Sequence, residues 1–183
     1  MTQLRPLPMF TPPGPYQLRS MQLADLPEVR AIEEMSLPTP TKAGTYEHEL
    51  TKNSLAHYQV LTVNGRTLIG YSGYWLIADE VHISIIAIHS DWRRRGLGEL
   101  LLLNMLGLTQ PKAVTMATLE VRSSNTAAQA LYHKYNFRIV HERPRYYRDG
   151  ESALVMTADL PLPNFNELAA ALLPRFRNEG KSP

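Results

Sequence analysis

The sequence predicts an α/β (α+β) three-layer domain, a mixed central sheet flanked by helices on both faces. Three observations carry that expectation. Apolar residues run almost unbroken from Val81 to Ile88, the pattern of a strand buried on both faces, and Leu97, Leu100, Leu101, Met105 and Leu108 then recur at helical spacing. Before this unit, Tyr58–Val63 and Thr67–Ile77 are apolar-rich segments joined through Asn64-Gly65, a strong short-range hairpin signal. After it come a strand over Ala113–Val121, a helix over Thr126–Tyr135, and a closing hairpin of Phe137–Tyr147 with Ser152–Asp159. At 183 residues, 44% of them hydrophobic and 20% charged, the chain reads as one soluble domain able to bury its own core.

In chain order, residues 1–16 hold five prolines and read as a mobile arm. Gln17–Met21 is expected as a first edge strand, followed by a helix over Leu26–Met35 with Asp25 as cap and Glu28 completing a capping box. Leu37-Pro-Thr-Pro40 breaks that helix, and a short helix follows over Tyr46–Lys52. Asp79-Glu80 turns the chain into the Val81 strand. Residues 17–160 form the predicted domain. Beyond Pro161 and Pro163, Phe165, Leu168, Leu172 and Phe176 share a face of a short helix, an extension suited to cap the domain or meet a partner.

Composition narrows the function. A net charge of +2, with Arg93–Arg95 as the only concentrated basic patch, argues against a nucleic-acid partner, and no aromatic stacking platform is interleaved with it. Without cysteine there is neither a disulfide nor a thiol nucleophile. The six histidines show no metal-ligand spacing, so no metal is expected. No apolar run suggests a signal or membrane segment, which leaves the cytoplasm as the expected location.

The chemistry concentrates in Arg93-Arg94-Arg95-Gly96-Leu97-Gly98-Glu99, between the Val81 strand and the next helix. Glycines at 96 and 98 let a ligand approach the backbone, and the first helical turn leaves N–H groups without partners inside the helix. With the helix dipole and three arginines, this forms a site for pyrophosphate oxygens. Taken alone, the same residues read equally well as packing glycines beside solvated arginines. Dinucleotide and nucleoside-triphosphate loops fit poorly: position 101 is Leu where a third glycine is required, and Glu99 follows Gly98 where a lysine is required.

The R-x-x-G-x-G turn after Ile86-Ala87-Ile88 resembles the acetyl-CoA pyrophosphate motif of the GCN5-related N-acetyltransferases. Leu119–Phe137, Arg143-Pro-Arg-Tyr-Tyr147 and Ala153-Leu-Val-Met156 are similar to the RimI-type alanine N-acetyltransferases. The resemblance covers residues 17–160. It implies a sheet opened between two central strands, acetyl-CoA as cosubstrate, backbone contacts from Ile86, Ala87 and Ile88 to the pantetheine arm, and cofactor contacts from residues 93–99 and Asn125. It further implies Glu120 as proton acceptor, Tyr132 as proton donor, and Tyr146 and Tyr147 in the acceptor groove.

Read from the residues, Glu120 ends a strand on the face shared by Met116 and Thr118, while Tyr132 lies on the helix that Asn125 caps. A solvated carboxylate and a core-edge phenol are the plain alternatives. Two departures from the pattern stand out. Thr41-Lys-Ala-Gly44 replaces the usual aromatic after the proline in the acceptor loop, and Asn136 replaces the glycine before Phe137, where asparagine also tolerates a left-handed bend. The expected activity is direct acetyl transfer in a ternary complex to a protein N-terminus, an N-terminal alanine of a ribosomal protein by resemblance. The rivals are an acetyltransferase for lysine or a small amine, and an acyl-CoA-binding regulator without turnover. The presence of Glu120 and Tyr132 argues against the second.

Overall fold

The computed structural model describes residues 11–109 and 113–177. The strands are β1 (Tyr16–Ser20), β2 (Ala56–Val63), β3 (Thr67–Ile77), β4 (Glu80–Ile88), β5 (Met116–Arg122), β6 (Arg138–Arg143) and β7 (Ala153–Asp159). They form one sheet in the order β1-β2-β3-β4-β5-β7-β6. Neighbours are antiparallel except β4 and β5. That parallel pair requires a crossover, supplied by α3 (Leu97–Thr109). The other helices are α1 (Leu26–Ser36), α2 (Thr45–Thr51), α4 (Thr126–Lys134) and α5 (Phe165–Leu172).

Two cores confirm the three layers. On one face, Leu26, Val29 and Ile32 of α1 and Tyr46 of α2 pack against Tyr58, Val60, Leu68, Tyr71 and Ala87. On the other, α3, Tyr132 and Tyr135 of α4 or its end, and α5 pack against Val81, Ile83, Ala117, Leu119 and Met156. α3 is buried around nearly its whole circumference, because α5 covers a side that the sheet does not. Its Asn104 is wholly buried and donates to Gln59 of β2.

The Val81 strand departs from its expected burial on both faces. Its Ile83 pairs with Tyr74 while Ile85 pairs with Gly73, so Ser84 is an extra residue in a bulge. The bulge resets the alternation: Val81 and Ile83 join the α3 core, whereas Ala87 and Ile85 pack on the α1 side. Pairing to β5 ends at Ile83 with Leu119, leaving Ser84 exposed and Ile85, Ile86 and Ile88 only partly covered.

The helix start at Asp25 also differs. A 3-10 turn at Leu23–Asp25 precedes α1; the Asp25 carboxylate completes a capping box with Gln22 on that turn and makes no cap hydrogen bond to α1. It takes two 2.7 Å bonds from Arg19 and one from the Gln22 N–H. The Arg19 bonds hold its pKa below the usual range. Pro27 in the first turn removes one N–H that a cap would otherwise serve. Glu28 instead accepts from the Leu68 N–H at 3.2 Å, tying α1 to β3.

At the chain ends, residues 1–10 of the predicted arm lie outside the described residues, and Tyr16 belongs to β1. Phe165, Ala169, Leu172 and Phe176 of the C-terminal extension are buried in the α3 core. Phe176 meets Tyr16 edge-on at 5.7 Å, and Tyr16 meets Trp92 at 6.2 Å.

Candidate active site

Because β4 and β5 part after Ile83 and Leu119, the sheet opens into a wedge. From Ile85 to Ile88, β4 keeps its pairing to β3, while its other edge pairs with no strand among the described residues. Ile86, Ala87 and Ile88 therefore present backbone groups along the gap, as expected of a strand that pairs with a ligand's amides. Glu120 is the first β5 residue beyond the last pair. Ala117, Leu119 and Val121 point into the α3 core, so Thr118 and Glu120 point to the opposite face.

The turn into α3 follows β4 directly. Gly96 has φ +82°, and Arg94 shares the left-handed region at +65°. Leu100 N–H to the Gly96 carbonyl opens the helical bonding, so the N–H groups of Leu97, Gly98 and Glu99 receive no carbonyl from the helix. A Cβ on Gly98 would meet only Ile88 Cγ1, at 3.9 Å. Neither packing nor a left-handed φ demands glycine there, and its lack of a side chain leaves the backbone open.

The arginines divide. Arg93 donates to the Ile88 carbonyl at 3.1 Å and to Ser36 at the end of α1 at 3.0 Å. Arg95 lies over Trp92 at 4.7 Å and donates to the Asp91 carbonyl. Arg94 makes no such contact among the described residues. The Glu99 carboxylate is committed elsewhere, to Lys134, to the Tyr135 hydroxyl at 3.0 Å and to Arg175 at 3.6 Å. Its backbone N–H is what Glu99 adds to the turn.

Glu120 is not solitary. One carboxylate oxygen lies 3.1 Å from His82 Nε2 and the other 2.9 Å from an Arg143 guanidinium nitrogen, with the side chain 12% exposed. The His82 bond, ahead of the Arg143 charge, holds its pKa below the usual carboxylate range against the opposing effect of burial. His82 stacks on Trp75 at 5.5 Å, and Trp75 donates to Glu49 at 2.7 Å. Sequence reasoning missed His82. Alternation from the buried Val81 placed it on the Glu120 face, but only strand register sets the two together.

Tyr132 is nine-tenths buried, and its hydroxyl has no hydrogen-bond partner among the described residues. Burial, aided by the nearby Tyr147 phenol, pushes its pKa up to about 12. Asn125 caps α4, accepting from the Ala128 N–H at 3.1 Å, as its position predicted. Tyr147 lies under the Arg122 guanidinium at 3.9 Å, and Arg122 also binds Asp149 and Glu151. Tyr146 packs edge-on against Tyr147 and is 47% exposed. Among the described residues no cluster could hold a metal ion, and no helix is long and apolar enough to cross a membrane.

The site thus combines a sheet wedge, a glycine turn whose first N–H groups take no carbonyl from the helix, and a carboxylate at the gap. Residues 33–160 match the family described as the Acetyltransferase (GNAT) domain, and the chain belongs to that family. It is 39% identical over 140 residues to the Bacillus subtilis (strain 168) protein named "Putative ribosomal protein bS18-alanine N-acetyltransferase", covering 76% of this chain and 92% of that one. The ribosomal protein bS18-alanine N-acetyltransferase of Escherichia coli (strain K12) is 31% identical over 148 residues, covering 79% and 98%. The crystal structure of the Escherichia coli ribosomal-protein-S18-alanine N-acetyltransferase superposes with a TM-score of 0.73 at 30% identity, covering 79% of this chain and 94% of that one. The protein is thus an acetyl-CoA-dependent acetyltransferase of amine substrates.

Proposed function

We propose that the acceptor is a protein N-terminus, an N-terminal alanine of a ribosomal protein above others, acetylated by direct transfer in a ternary complex. The observation that carries this reading is the wedge. It sets the unpaired edge of β4 after Ile83 beside the Glu120 position of β5, at the point where the two strands part. The names of the relatives supply the alanine and the ribosomal protein.

In this reading, Leu97, Gly98 and Glu99 donate backbone N–H groups to the pyrophosphate, and Arg94 is the arginine left free to neutralise it. Arg93 and Arg95 shape the turn through Ile88, Ser36 and Trp92. Asn125 keeps its side-chain amide for the cofactor while its oxygen caps α4. Ile86, Ala87 and Ile88 align the pantetheine arm, and a backbone N–H of the same edge polarises the thioester carbonyl. Glu120 draws the proton from the terminal ammonium, and Tyr132 protonates the departing thiolate. Tyr146 and Tyr147 line the path of the peptide.

The deciding experiment is acetyl-CoA turnover on peptides that differ only in their first residue, beside an N-terminally blocked lysine peptide. Preference for free alanine, lost on blocking, is the expected result. Acetylation of lysine or a small amine alone would overturn the substrate assignment and keep the cofactor half. Acetyl-CoA binding without turnover would favour a regulator.

A further inference from the structure

Resting on that reading, we propose that Arg122 is a positioning residue for the acceptor: its guanidinium fixes the loop joining β6 and β7 so that Tyr147 is held at the Glu120 end of β5. A circuit of contacts begins and ends on one face of that strand. Glu120 binds Arg143 at 2.9 Å, Arg143 lies over Tyr146 at 5.5 Å, Tyr146 meets Tyr147 edge-on at 5.2 Å, and Tyr147 lies under Arg122 at 3.9 Å. Leu119 and Val121 point into the α3 core, so Glu120 and Arg122 share the opposite face. The tyrosine pair is thus tied at both ends to the strand that carries the proton acceptor.

The residue type suits the task. The guanidinium binds Asp149 at 2.7 Å and Glu151 at 2.6 Å while covering the Tyr147 ring, a combination that fits a planar fork better than an ammonium. Its side chain is only 15% exposed, so salt screens these pairs less than surface ones. The backbone of Tyr147 is held within the same loop: its N–H donates to the Glu151 carbonyl at 3.0 Å, and its carbonyl accepts from Gly150 at 2.9 Å. Burial raises the Tyr147 pKa, the Arg122 charge opposes it, and Tyr146, Glu120 and Glu151 add to it. The same phenol acts on Tyr132. The ring that Arg122 holds therefore neighbours both groups assigned to proton transfer.

Arg122 divides its contacts. Its side chain serves the acceptor loop, whereas its carbonyl accepts from the Asn125 N–H at 3.0 Å and from the Gln129 side chain at 3.0 Å, at the start of α4. A change of side chain should therefore loosen the acceptor loop and leave the cofactor side bonded.

The test is steady-state kinetics with the preferred peptide beside isothermal titration with acetyl-CoA, for the wild type, Arg122→Met, Arg122→Lys, Tyr147→Ala and the combined Arg122→Met, Tyr147→Ala variant. Near-UV circular dichroism checks folding. Arg122→Met keeps the length of the side chain and removes the charge and the fork. It is expected to raise KM for the peptide about 10-fold, more than it lowers kcat, with acetyl-CoA affinity unchanged. Arg122→Lys, which keeps a cation for the two carboxylates, should recover part of that loss. Because Arg122 acts through Tyr147, the combined variant should be no worse than Tyr147→Ala alone. Asp149→Asn with Glu151→Gln loosens the same loop from its exposed side and should raise the peptide KM too, a second route that holds if Arg122→Met does not fold. A wild-type peptide KM in the folded variants, or losses that simply add in the combined one, would overturn the proposal. A wild type that acetylates only lysine or a small amine would sink the N-terminus reading itself, and this inference with it.

Discussion

At the scale of single residues, Tyr132 shows how burial prepares a group for one task. Its pKa of about 12 lies above the ordinary phenol value, because the phenolate would be charged in a site nine-tenths closed to water. The sign follows directly: a raised phenol stays protonated through the neutral and mildly basic range. Tyr132 should therefore add no basic limb to kcat below pH 10, while Tyr132→Phe should lower kcat by about 10-fold to 10²-fold at every pH measured. A basic limb near 9 in the wild type that disappears in the variant would contradict this. Glu120→Gln is expected to lose at least about 10²-fold in kcat. Isothermal titration with acetyl-CoA should find its affinity nearly unchanged.

At the scale of elements, the turn into α3 contains two glycines with opposite reasons for being there. Gly96 needs its left-handed φ, so Gly96→Ala should cost about 1–2 kcal/mol of stability. Gly98 is helical with room for a methyl group, so Gly98→Ala should match or exceed the wild-type melting temperature while binding acetyl-CoA more weakly. Equal affinity would mean that no ligand approaches that backbone. The loop joining β6 and β7 makes a second case. The Glu151 carboxylate accepts the Ser124 N–H at 2.8 Å and binds Arg122, and these bonds, the backbone one foremost, pull its pKa down to about 2. A depressed carboxylate contributes fully above its ordinary value near 4.5 and loses that contribution as pH falls toward about 2. Urea titrations of the wild type and Glu151→Gln should thus show a stability gap at pH 6 that closes between these limits.

At the scale of the whole molecule, segments near the two ends of the described chain meet beneath the turn into α3. Phe176 is fully buried, touches Tyr16 edge-on, and its ring would contact a Cβ on Gly96 at 3.7 Å. Arg175 reaches Glu99 at the start of α3. The extension beyond the GNAT match is therefore part of the core under the turn. Phe176→Ala should cost about 3–5 kcal/mol in chemical denaturation and weaken acetyl-CoA binding together with it. Loss of stability with affinity unchanged would separate the extension from the turn.

The sequence by itself determined the local facts: the β2–β3 hairpin at Asn64-Gly65, the strand-to-helix turn at residues 93–98, the Asn125 cap, and the side of β5 on which Glu120 lies. These depend on neighbours a few positions apart, where periodicity, glycine conformation and capping act directly. What only the tertiary structure decided depends on register and on contacts between distant segments. The Ser84 bulge and the parting of β4 from β5 arise from strand pairing that no local pattern encodes. So do the bonds from His82 and Arg143 to Glu120, from Arg93 to Ser36 and from Glu99 to Lys134 and Arg175. A charged or polar side chain in a sequence carries its chemistry, but its partner is chosen by the fold that desolvates it.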